Sequence, residues 1–353
     1  MAVEFLDGFA HYVTTNMSQK WTFPSGTITS SPPAGRVGPG LLLPVGGNAG
    51  ITLSHQSGWV NGFAAYFNGS PATYNGFVYN ASHAGQTELL RVRIESDATL
   101  SLVTGNNSVL IANSSPFSLH DNTWYYLEIK HNYSGSTSSN IQTTATLRVD
   151  GAVRASGTGT CGFNTTGLLL QTPTVNAHGV ANPVVNGNTY IKDLYIFDQS
   201  GSNTNDFAGD CTFVFVVPDG DVTTQWDLSS GSVSFSLVNE VPPDGDTSYV
   251  QSSNSSTAIN SATDNFTWQD IPAFTGTIVA VQYLGFLRKT GEGKKSVKLT
   301  VGPTGAFTQV SDEFFLNDNY LYYRLPLGTD PNTGIGWTRT GFNATDFGIE
   351  VIS

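Results

Sequence analysis

The feature that most constrains this chain is a period-two alternation of apolar and polar residues. It recurs in short runs bounded by Gly, Asn, Ser and Pro, and no long window has helical period. Successive side chains of a strand point to opposite faces, so such runs suit strands that bury one face. In residues 89–94, Leu90, Val92 and Ile94 share a face; Asp97-Ala98-Thr99 turns the chain, and residues 100–103 return. Residues 109–112 and 124–130 follow. Residues 145–149 end in Asp150-Gly151, a hairpin signal, because both central positions of that turn need positive φ. A further run spans 190–198, with Ile191 inward. Trp124, Leu127, Ile129, Leu147 and Val149 are expected in the core, and Tyr126 at its rim.

A chain of 353 residues suggests two domains. The polar, Gly-containing stretch 200–206 reads as the junction, giving domains 1–210 and 211–353. All six histidines precede it, and the second part holds 15 of the 27 acids against 7 of the 15 bases. That part is also expected to be β. An apolar run at 211–217 ends in a turn at Pro218-Asp219-Gly220, and strand candidates follow at 277–288, 296–301, 320–325 and 347–352. The fold class is therefore all-β, with sandwich or jelly-roll domains.

Composition removes several functions. The net charge is −12, with charged residues at 12%, so no basic face for nucleic acid is expected. No stretch approaches the apolar length of a membrane helix. The N-terminus lacks the basic segment and apolar run of a secretory signal, so synthesis in a cytoplasm is expected. Cys161 and Cys211 make no metal motif; both are expected free, a single bridge being the alternative.

Catalytic patterns are sparse. Asp193 with Asp198, and Glu95 with Asp97, are the best local carboxylate pairs, and both suit solvated turns. There is no Gly-x-Ser-x-Gly elbow, no phosphate loop, and no metal spacing around His55 or His83. Sequons such as Asn68, Asn80, Asn132 and Asn343 follow from an Asn/Ser/Thr-rich composition. Two Asp-Gly-Asp turns, Asp219/Asp221 and Asp244/Asp246, are the only candidates for a cofactor, a Ca²⁺ ion held by hard oxygens; an ordinary turn is the other reading. Between residues 59 and 79 aromatic and amide residues interleave. Trp59, Tyr66, Tyr74 and Tyr79 with Asn61 or Asn75 would suit a sugar site, and the same spacing suits alternate rings filling a core.

Residues 122–129, then 147–151 (Leu-Arg-Val-Asp-Gly), then 190–196 (Tyr-Ile-Lys-Asp-Leu-Tyr-Ile), resemble the concanavalin A-like or laminin G-like jelly roll. The resemblance implies that fold for residues 1–210, with a smaller second β-sandwich after it. The acidic catalytic strand of the glycanase members is missing. The whole chain further resembles a type of tailed-bacteriophage virion protein, through residues 6–12, 197–207, 217–221, 241–246, 330–334 and 347–351. That resemblance implies a non-enzymatic structural component of a capsid or tail, located in the virion and released by lysis. Its partners would be other virion proteins and further copies of itself, a trimer first. The rival expectation is an adhesin whose jelly roll binds a host surface glycan.

Overall fold

The structure is a computed structural model. It describes the chain except residues 1–2, 22, 25, 31, 45–47, 52, 54–57, 70–75, 84–86, 105–109, 135–140, 162–169, 177–187, 200–203, 253–261, 304–307, 310 and 353. It divides into two compact units, Met1–Phe213 and Val214–Ser353.

In the first unit the strands are β1 (Val3–Asp7), β2 (Phe23–Pro24), β3 (Thr27–Thr29), β4 (Gly40–Leu43), β5 (Asn48–Gly50), β6 (Gly58–Phe67), β7 (Gly76–His83), β8 (Thr87–Ile94), β9 (Thr99–Thr104), β10 (Leu110–Ser118), β11 (Thr123–Ser134), β12 (Ile141–Val149), β13 (Ala152–Cys161), β14 (Leu170–Asn176) and β15 (Thr189–Phe197). They form two antiparallel sheets. The larger runs β13-β12-β11-β6-β15-β4-β3, with β1 also on β15; the smaller runs β10-β9-β8-β7-β14-β5-β2. Chain neighbours are thus often separated in space, the crossing pattern of a jelly roll.

The alternation places the core between these sheets. Leu90, Val92 and Ile94 of β8, Leu127 and Ile129 of β11, Leu147 and Val149 of β12, and Ile191 of β15 are all fully buried. Asp150 and Gly151 have φ of 50° and 77°, as the hairpin required. Two expectations need correction. Trp124 shares the parity of Tyr126 and Glu128, opposite to Leu127, so it lies on the outer face of the larger sheet and is half-buried. Tyr126 is not at a rim; it is buried on that same outer face. At the chain start, Asp7 and Lys20 form a buried ion pair of 3.2 Å. Around it, Tyr12 Oη and Trp21 Nε1 donate to Asp7 Oδ2, and Lys20 Nζ donates to Leu6 O.

The second unit contains β16 (Pro218–Thr224), β17 (Asp227–Leu228), β18 (Val250–Gln251), β19 (Thr263–Trp268), β20 (Val281–Leu287), β21 (Ser296–Pro303), β22 (Thr308–Gln309), β23 (Phe314–Phe315), β24 (Leu321–Leu327), a short helix α1 (Arg339–Asn343) and β25 (Thr345–Val351). A sheet ordered β16-β19-β25-β21-β22 is accompanied by the pair β20-β24. Their shared core holds Tyr283, Val297, Leu299, Val301, Leu325, Trp337, Phe342, Phe347 and Ile349. The apolar run 211–217 is not a strand. Residues 211–213 belong to the first unit, and Val214 and Phe215 are exposed. The expected turn at 218–220 is instead the start of β16, whose irregular register accommodates the glycine.

Candidate functional site

The outer face of the larger sheet of the first unit is built from the even positions of β6, β11 and β12 and the matching positions of β15. At one level three rings stand in register on adjacent strands. Trp124 of β11 pairs with Tyr66 of β6, which pairs with Tyr190 of β15. The ring centroids lie 5.4 Å and 5.9 Å apart, and all three side chains are half-buried. Loop 32–38 supports the row: Trp124 Nε1 donates to Pro33 O and Ala34 O, and Arg36 lies over the Trp124 ring at 5.9 Å. Gly35, at φ +117°, packs where a Cβ would sit 3.0 Å from Trp124 Cδ1, so this close approach requires glycine. At the opposite end of the face, level with Lys130 and Asn132 of β11, Thr146–Ser156 and Thr144–Thr158 hydroxyl pairs form an exposed polar ladder.

Farther along the same face is a buried polar cluster. Tyr195 Oη donates to Glu128 Oε1 at 2.6 Å, and Arg148 Nη1 is 3.9 Å from Glu128 Oε2. Tyr195 lies over Gly62, where an added Cβ would meet its ring at 2.2 Å. Arg36 Nη1 donates to Asp193 Oδ2 at 2.9 Å. Asp193 adopts φ of 52° at the irregular step of β15, between its pairings at Lys192 and Tyr195. Burial pushes the Asp193 carboxyl up, while Lys192, the Phe213 N–H and Arg36 pull it down. Burial, with Glu128 adding to it, holds the Tyr195 phenol well above its ordinary value, so it is a proton donor in a hydrogen bond and not a base.

Residues 204–213 cross this cluster as a strap. Ala208 N donates to Tyr195 Oη and Gly209 N to Glu128 Oε1. Asp206 pairs with Lys130 at 3.0 Å, and Asp210 pairs with Arg36. Phe207 lies under the Arg148 guanidinium at 4.7 Å, and Phe213 N donates to Asp193 Oδ1. Cys211 is a free thiol, pushed up to about 12 by burial. A carboxylate hydrogen-bonded to a phenol is a pair that acid–base chemistry can use, but beneath the strap both groups are closed to substrate.

The sugar-site residues expected between 59 and 79 do not form one site. Trp59 and Asn61 are buried between the sheets, because odd positions of β6 face inward, and Tyr79 of β7 is buried against them from the facing sheet. There Asn61 Nδ2 donates to Tyr79 Oη at 2.9 Å, and Tyr79 Oη is 2.8 Å from His131 Nε2. Burial lowers His131 to about 3. Tyr66 alone faces out, and Tyr74 and Asn75 lie outside the described residues. The signal that could have found the outer row is large aromatics on the polar parity of two strands, Trp124 and Tyr126 on β11 and Tyr190 on β15.

The Asp-Gly-Asp carboxylates are engaged by protein donors. Asp219 accepts from Thr267 Oγ1, Asp221 from Ser234 N and Phe235 N, Asp244 from Ser248, and Asp246 from Arg288 and Tyr320 Oη. Among the described residues no group of three or more His, Cys, Asp or Glu is placed to hold a metal ion.

No protein-family model and no curated protein matches the chain. Among solved structures, the chain is similar to the alginate lyase Aly36B at 12% identity, over 55% of this chain and 96% of that one, with a TM-score of 0.38. It is similar to the cellulose-induced protein Cip1 at 11% identity, over 51% and 91%, TM-score 0.37. A marine alginate lyase from Aplysia kurodai follows at 9%, over 49% and 86%, TM-score 0.34. The expectation of a non-enzymatic virion component, or of a phage adhesin, is corrected to the extent that two of these three structures are alginate lyases and none is a phage protein. Likeness at this level transfers no activity, so function has to be argued from the residues.

Proposed function

We propose that the first unit is a carbohydrate-active module that takes a glycan chain on the outer face of its larger sheet. The observation that carries this is the in-register row Trp124–Tyr66–Tyr190, half-exposed on a face that the inter-sheet core does not need. Sugars present C–H surfaces that pack on aromatic rings, and hydroxyls that pair with polar neighbours. Here the polar neighbour is Asn122, whose Oδ1 accepts from Tyr66 Oη. Glu128 and Tyr195 follow the row along the same face and are closed to substrate while residues 204–213 lie over them.

The test is a panel of soluble polysaccharides, neutral and acidic, scored by glycan array and then by calorimetry. Trp124→Ala and Tyr190→Ala should each weaken binding by about tenfold or more, because a weak sugar site depends on few rings. The melting temperature reports folding. Binding that survives both substitutions, or no binding to any glycan, defeats the proposal.

A further inference from the structure

We propose that the sheet face beneath residues 204–213 is a binding site for an acidic polysaccharide, and that the strap's carboxylates take the ligand's place in the resting state. This deepens the reading of the outer face as a glycan surface and rests on it. The first 210 residues contain only eight Lys and Arg, with twelve Asp and Glu. Four of those eight cations, Arg36, Lys130, Arg148 and Lys192, stand on this one face. Within the sheet, Glu128 pairs with Arg148, and Asp193 with Arg36 and Lys192. The balance is made up by the strap, which brings Asp206 to Lys130 and Asp210 to Arg36.

These strap acids are four residues apart and exposed, and their cationic partners are three-tenths exposed or less. A carboxylate-bearing chain, with an anion on each sugar, can take the place of the two aspartates. Arg36 and Arg148 suit carboxylates because the guanidinium offers paired donors. Phe207, stacked under Arg148, occupies the place where a sugar ring would lie. A glycan entering along Trp124–Tyr66–Tyr190 meets Arg36 first, since that guanidinium lies over both Trp124 and Tyr126. Competition for Arg36 would release Asp210 and then Cys211, whose carbonyl Arg36 also holds.

Cys211 makes the displacement measurable without adding a probe. Packed against Tyr126, its thiol is held up to about 12; exposed, it returns toward the ordinary value of 9.0. The reactive thiolate fraction then rises steeply. The experiment measures alkylation of Cys211 in the full chain at pH 8, with the labelled peptide identified by mass spectrometry so that Cys161 is counted separately. Saturating oligogalacturonate should raise the Cys211 rate at least tenfold, whereas cellohexaose should leave it unchanged. By calorimetry, oligogalacturonate should bind more tightly in Asp206→Asn/Asp210→Asn by about five- to tenfold, and more weakly in Arg148→Gln, with cellohexaose affinity unaltered. An unchanged Cys211 rate with bound oligogalacturonate overturns the proposal. So does equal affinity for the two sugars. If both sugars bind equally and lose affinity in Trp124→Ala, the glycan face stands and the acidic site alone falls. If neither binds, both fall.

Discussion

Acid should unfold the first unit through two buried imidazoles. His131 stands between the sheets against Tyr79 and Asn61, and burial lowers it to about 3. His11 is also well below its ordinary value, through burial and then through the charge of Lys20. In the unfolded chain both titrate near 6.5. A folded value below the unfolded one gives stability that is present above about pH 6.5 and lost as pH falls towards the folded value. Each pKa unit corresponds to about 1.4 kcal/mol. For His131 the loss between pH 7 and pH 5 is therefore about 2 kcal/mol, and about 4 kcal/mol by pH 3. With His11, the slope should approach about 2.7 kcal/mol per pH unit below pH 5.5. His131→Gln keeps a hydrogen-bonding group beside Tyr79 and removes the titration, so the slope should halve. Urea unfolding between pH 7 and pH 5, read by hydrogen-exchange mass spectrometry, gives the slope from peptides of β11. Peptides of β21 are an internal control, because residues 211–353 contain no histidine. A window above pH 5 keeps the carboxylates largely out of the slope. A wild-type slope under about 1 kcal/mol per unit in the β11 peptides, or an unchanged slope in His131→Gln, would refute the reasoning.

Asp7→Asn leaves Lys20 charged and buried without its counter-ion, and should destabilise the first unit by about 3–5 kcal/mol in urea melts. Leu127→Ala removes a fully buried side chain and should cost about 2–5 kcal/mol, whereas a change under about 0.5 kcal/mol would mean the register of β11 is inverted. Gly62→Ala drives a Cβ into the Tyr195 ring and should cost about 1–3 kcal/mol, with faster hydrogen exchange at Gly209 as its bond to Glu128 is disturbed.

Much of the first unit was legible because alternation reports which parity faces a core. Residues 89–94, 124–130 and 145–149 are strand and 150–151 the turn where the pattern placed them, and the run 190–198 is strand up to Phe197. What alternation does not report is what covers the other face. Tyr126 and Tyr195 sit on the outer parity yet are buried, because a segment about 80 residues from Tyr126 along the chain lies over them. Trp124 was misplaced by residue type alone: a tryptophan invites assignment to the core, and its parity with Glu128 was the better guide. In the second unit, residues 211–217 are apolar without being a strand. Their first three residues complete the first unit, where Phe213 packs on Gly8 and bonds Asp193.

The candidate site was missed for a related reason. Density of aromatics along the chain drew attention to residues 59–79, but density in sequence is spread over both faces of a strand, so Trp59 and Tyr66 point to opposite sides of β6. The outer face is assembled from single residues on β6, β11, β12 and β15, and no short window contains it. Its marks are local rules broken together. Asp193 takes a left-handed φ within a strand, Glu128 is an acid buried on a sheet's outer side, and Gly62 is a bare backbone beneath a tyrosine. Each costs stability taken alone. A strap that served only to join the two units would be anchored more simply by apolar side chains on an apolar face. Acids of the strap matched to cations of the sheet, over a strained carboxylate and a tyrosine–glutamate pair, indicate a surface shaped for a ligand with charges of its own.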